Sequence, residues 1–235
     1  MFNTRRTGIL LLSVLGWLGG TESAGAEGFL VDPTLGSSNF TAVYDLPPIG
    51  ERIVAVSSAI ECLLDVDTAA GSASGRCKVP LTSITVDNEP TKTQHFQQWA
   101  TNKASEPSQC FFELALQDAK VTSPAEPEQP TPFSAKGAFT ICNRPRDDNR
   151  PEVITGSAIY LPPGAMEERA TLRIRARIEK FNRDKYKVGP DFTPGWLSRI
   201  QKMARVVAKE GTVDVQLYAR SIYVRPAAAA AAAGK

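Results

Sequence analysis

Histidine is almost missing from this chain. One, His95, stands in 235 residues, so a three-histidine zinc site is excluded. Charge of one sign is also lacking. The 27 Lys and Arg face 25 Asp and Glu, for a formal net charge of +2, and no basic field points to nucleic acid or an anionic membrane. There is no CxxC or CxxCH, which leaves a thioredoxin-like or c-type haem role without support. P-loops, nucleophile elbows, Gly-rich nucleotide loops and paired catalytic carboxylates are absent, so no enzymatic activity, metal site or cofactor is expected. Asp65 and Asp67 share a strand face, and Asp147-Asp148 lies in a Pro-rich turn; both are ordinary places for acids. Beyond the N-terminus no long apolar run occurs, so the mature chain is expected to have no transmembrane segment.

The N-terminus carries an address. Arg5 and Arg6 precede residues 8–18 (GILLLSVLGWL), an apolar run with the length of a signal-peptide core. Ala24-Gly25-Ala26 has the small-residue pattern of a cleavage site. Residues 1–26 are therefore expected to be a signal peptide, with a periplasmic or secreted mature protein starting at Glu27. An oxidising compartment lets thiols pair. Cys62, Cys77, Cys110 and Cys142 allow three pairings. Cys62 and Cys77 flank a turn-rich stretch, residues 68–75 (TAAGSASG). Folding the flanks antiparallel sets Cys62 opposite Cys77, Ile60 opposite Val79 and Glu61 opposite Lys78. Cys110 and Cys142 flank residues 123–132 (SPAEPEQPTP) in the same manner, with Phe111 expected opposite Ile141. The expected disulfides are Cys62–Cys77 and Cys110–Cys142.

Alternation dominates the mature chain. In residues 171–179, Leu172, Ile174, Ala176 and Ile178 alternate with Arg173, Arg175, Arg177 and Glu179, the pattern of a strand with one wet face. Residues 212–220 repeat it through Val213, Val215, Leu217 and Ala219, and residues 39–46 through Phe40, Ala42, Tyr44 and Leu46. Further strands are expected over 54–66, 76–86, 110–121, 133–142 and 152–160, making about eight, with Pro and Gly in nearly every gap. Two short helices are expected, at 91–103, where Phe96 and Trp99 can share a side, and at 196–208, where Trp196, Ile200, Met203 and Val207 form one stripe. Residues 226–235 are a low-complexity Ala-rich tail. One domain, 27–225, remains. Antiparallel strands with one apolar face hide it in a sandwich or a closed barrel, and composition does not choose between them.

The order of short elements resembles the YceI-like family, bacterial polyisoprenoid-binding proteins. Phe29-Leu30-Val31-Asp32-Pro33 followed by Ser37-Ser38-Asn39-Phe40 is similar to the family's opening. His95-Phe96 resembles its H-L or H-F pair, Gly137-Ala138-Phe139-Thr140-Ile141 with Arg144-Pro145 its G-x-L-T-I element, and Asn182-Arg183-Asp184-Lys185-Tyr186 its N-R segment. The likeness spans residues 28–221. Lys187 stands where the family has glycine, the 196–208 helix looks inserted, and the cysteines are not a family hallmark. The resemblance implies an all-β fold, an eight-stranded antiparallel lipocalin-like barrel. It also implies a bound apolar ligand, an isoprenoid or quinone-like lipid. The residues expected to line such a barrel are Phe40, Tyr44, Ile60, Leu64, Phe96, Trp99, Phe112, Leu114, Phe139, Ile141, Leu172, Ile174, Ile178, Val213, Val215 and Leu217. The alternative is a periplasmic interaction module with a filled barrel and no small-molecule ligand. A homodimer is left open as a partner.

Overall fold

The computed structural model describes residues 26–47, 50–102, 105–121, 127–164, 167–193 and 207–222. The expected signal peptide, the Ala-rich tail and all but the last two residues of the expected 196–208 helix lie outside them. The described residues form twelve strands: β1 (Glu27–Val31), β2 (Asn39–Leu46), β3 (Glu51–Ser57), β4 (Glu61–Asp67), β5 (Ser72–Pro80), β6 (Thr85–Val86), β7 (Phe111–Val121), β8 (Thr131–Ile141), β9 (Arg144–Pro145), β10 (Glu152–Leu161), β11 (Thr171–Asn182) and β12 (Glu210–Ser221). Among the described residues one α-helix, α1 (Pro90–Thr101), joins them.

Eight strands close an antiparallel ring in the order β1-β4-β5-β7-β8-β10-β11-β12, sealed where β12 returns to β1 at Phe29↔Ser221. Most neighbours in the ring follow one another along the chain, and the period of two runs along them except at the register shifts in β7 and β11. Along β11, Leu172 and Ile178 are buried while Arg173, Arg175 and Arg177 are exposed. A closed ring leaves fewer free backbone edges than an open sheet. The strand spanning 39–46 lies outside the ring. It pairs with the first half of β12, from Gly211↔Tyr44 to Gln216↔Asn39, while β1 takes the last residues of the same edge. In the gap between β1 and β2, Tyr218 O accepts from Asp32 N and Tyr218 N donates to Ser38 Oγ, so the backbone stays satisfied.

Several expectations need correction. The 54–66 run is two strands, β3 and β4, broken at residues 58–60, where Ser57 Oγ accepts from Ala59 N. The break lets β3 follow β2 while β4 joins β1 and β5. The 76–86 run likewise divides into β5, a 3-10 turn at Leu81–Ser83 and β6. Strand β1 was not foreseen; it is short, and Phe29 is its one fully buried side chain. The helix starts at Pro90, a residue suited to a first helical turn, and ends at Thr101 before Asn102 in a left-handed conformation.

Both disulfides join the expected partners, Cys62 to Cys77 and Cys110 to Cys142. Cys62 stands opposite Cys77, and the neighbouring Glu61 and Lys78 form an ion pair at 3.0 Å. Around the second disulfide the register differs by one residue, with Phe112 rather than Phe111 opposite Ile141. Sliding a strand by one residue exchanges its faces. The observed register turns Phe112 inward with Ile141, leaving Phe111 outside beneath the Lys78 ammonium. Cys110 and Cys142 then pair just past the end of the ladder, with Cys142 and Asn143 both in left-handed conformations.

Candidate ligand cavity

The inward faces do not fill the ring. A cavity of ≈ 160 Å³ lies inside, bordered almost wholly by apolar atoms. It reaches the end of the barrel that carries the β4–β5 turn, where Asp67, Thr68, Gly71 and Ser72 border it with Lys120 and Thr131. The opposite end carries α1.

Of the sixteen side chains expected to line the barrel, twelve border the cavity: Phe40, Ile60, Leu64, Phe112, Leu114, Phe139, Leu172, Ile174, Ile178, Val213, Val215 and Leu217. Tyr44, Phe96, Trp99 and Ile141 do not. Ile141 is fully buried at the far end of β8, and the other three pack against the core there. Sequence reasoning missed Val66, Val79, Leu116, Ala119, Val121, Phe133, Ile154, Ala158 and Tyr160, which also border the cavity. Most were within reach of the alternation. Val66 and Leu116 simply extend the series of Leu64 and Leu114. Ala119 was not, because a register shift between Gln117 and Lys120 moves the inward face of β7 from even to odd positions.

Two glycines shape the wall. A Cβ on Gly137 would stand 2.4 Å from Leu114 Cδ1 and 3.0 Å from Ile154 Cδ1, so these larger neighbours cover the site that glycine vacates. A Cβ on Gly156 would stand 2.1 Å from Arg175 O, where strands β10 and β11 approach too closely for any side chain.

The α1 end is sealed by polar contacts as well as packing. Glu152 points inward, its side chain only 4% exposed. Its Oε1 accepts from the Tyr186 hydroxyl at 2.6 Å and pairs with Arg146 Nη1 at 2.9 Å. Burial first, and then the Glu152 carboxylate that takes its hydrogen bond, push the Tyr186 phenol well above its ordinary pKa. Arg144 donates to Tyr186 O at 3.2 Å and to Ala100 O in the last turn of α1, a favourable place for a cation. Arg183 donates to the carbonyls of Val188, Val207 and Ala208, which fixes the chain leading into β12. At the start of α1, Asp87 accepts from Val54 N and from Lys92 Nζ, both at 2.8 Å. Burial, the largest single influence, acts to raise this carboxyl, but the Lys92 and Val54 hydrogen bonds outweigh it and hold it below its usual range.

His95, the one histidine, is half-buried on α1. The basic stripe of Arg173, Arg175 and Arg177 lies on the outer face, where Arg177 Nε meets Asp214 at 2.6 Å and Arg173 lies over the Tyr218 ring. Among the described residues, no group of three or more His, Cys, Asp or Glu is placed to hold a metal ion. No helix among them is long and apolar enough to cross a membrane.

No family model matches the chain, and no curated protein matches it. Among solved structures it is similar to a polyisoprenoid binding domain from Saccharophagus degradans implicated in plant cell wall breakdown. The TM-score is 0.49 and the identity 12%, over 82% of this chain and 98% of that one.

Proposed function

We propose that this protein is an exported binding protein that holds an apolar, lipid-like molecule, an isoprenoid or quinone-like lipid, inside its barrel. The observation that carries the reading is the apolar cavity within a closed ring of strands. Moving hydrocarbon from water into such a space is favourable by about 0.8 kcal/mol for each CH₂ buried, so affinity needs no catalytic or charged centre. Apart from Arg177 on β11, the polar residues on the cavity border, Asp67, Thr68, Ser72, Lys120 and Thr131, lie at the β4–β5 end, which suits a ligand whose head stays near water. Export is supported by the N-terminal sequence pattern and by two disulfides.

The test is cargo. The protein is purified from its native compartment, extracted with organic solvent and examined by mass spectrometry. A stoichiometric prenyl lipid or quinone is expected. An empty extract, together with no uptake of offered prenols, contradicts the proposal and favours a barrel that serves only as an interaction module.

A further inference from the structure

We propose that the rings of Phe40, Phe112 and Phe139 are a floor that sets how much of an apolar chain the barrel takes in. This rests on the cavity being the ligand site. All three rings border the cavity. Phe112 is the hub, with its centroid 6.0 Å from Phe40 and 6.1 Å from Phe139, both edge to face. On the far side Phe96 of α1 stands 5.9 Å from Phe112, while Phe181 and Tyr186 stand 5.0 and 5.7 Å from Phe139. None of these last three borders the cavity. The aromatic layer therefore crosses the barrel, with space above it and packed rings below.

The layer is supported from beneath. Tyr186 stacks on Phe181 at 5.0 Å and is held through its hydroxyl by Glu152. Phe96 is held through α1, whose last turn is tied to Arg144. Edge-to-face pairs add to the burial of each ring, so displacing Phe112 disturbs several contacts together. The space above the floor is small. A cavity of about 150 Å³ accepts benzene, whereas drug-sized ligands use about 300–1,000 Å³. At ≈ 160 Å³ this one suits a segment of roughly six carbons. A longer chain leaves its remainder at the β4–β5 end, where each further methylene stays in contact with water. The barrel then grips one end of a lipid rather than enclosing the whole of it.

The experiment titrates the purified protein with straight-chain primary alcohols of four to sixteen carbons, competing with a fluorescent naphthalene dye. Affinity is expected to rise about fourfold per carbon up to roughly six carbons and then to level off. Phe112→Leu and Phe139→Leu, which shorten the floor but stay apolar, are expected to move the plateau to longer alcohols. Phe96→Leu, beneath the floor, is expected to leave it in place. If the floor variants do not fold, the wild-type series decides by itself. Affinity that keeps climbing beyond about ten carbons in the wild type overturns the floor while the ligand reading stands. Binding of no alcohol at any length overturns the ligand reading and the floor with it.

Discussion

The two ends of the barrel are built by different means. At the α1 end a disulfide, a buried carboxylate with two partners and arginines bonded to backbone carbonyls close the ring. The β4–β5 end relies more on alternation, with Ser221 Oγ donating to Glu27 Oε1 where β12 meets β1 and Arg220 paired with Asp32 and Glu167. Apolar side chains run up the inner wall, and Thr68 and Lys120 on the border are exposed. The difference shows where stability and function separate in one continuous sheet. Buried long-range polar contacts hold the end that carries the aromatic layer, while the cavity reaches the other end.

Removal of the disulfides should have the largest effect. Cys110–Cys142 spans 32 residues and Cys62–Cys77 spans 15. Loop entropy in the unfolded chain then assigns about 3.7 kcal/mol to the first and about 3 kcal/mol to the second. Replacing each pair by alanine and comparing denaturant midpoints checks the order. A larger loss for the Cys62–Cys77 pair would mean that the α1 end is held by its other contacts.

Next in size, Glu152→Ala should cost about 2–3 kcal/mol, because Arg146 loses a buried partner and the Tyr186 hydroxyl is left unsatisfied. Lys120→Ala on the open border should change stability by no more than about 0.5 kcal/mol. Urea unfolding of the two variants sharpens the comparison. Equal effects would erase it.

The smallest effect concerns acid. The Asp87 carboxyl is depressed in the folded protein, so its contribution is present above the unfolded carboxylate pKa and is lost as pH falls through the lower folded value. Protection factors of α1 amides, corrected for intrinsic exchange, should therefore fall on acidification before those of β11 do, and Asp87→Asn should remove that difference.

How much of this was legible in the sequence depended on distance along the chain. Hairpins were, because β4 and β5, or β10 and β11, carry matched alternation on either side of a turn. The alternation of 39–46, 171–179 and 212–220 put Phe40, Leu172, Ile174, Ile178, Val213, Val215 and Leu217 on apolar faces, and these border the cavity. The one-residue register difference at Phe112 was hidden because setting the two cysteines opposite each other is the simplest pairing, whereas burial of Phe112 and Ile141 decides the ladder. The break at residues 58–60 was hidden because Ser57-Ser58 marks it without a proline or glycine. The knot of Glu152, Arg146 and Tyr186 could not be read at all. Tyr186 lies 34 residues from Glu152, and nothing local distinguishes that glutamate from a solvated one.

The most direct measurement of the central claim is a crystal of the protein pressurised with xenon. Xenon enters dry apolar cavities of this size, and it is expected above the Phe112 ring, among Leu172, Val215 and Leu217. Crystals that bind xenon only on the outer surface, around an interior filled by its own side chains, would contradict the account.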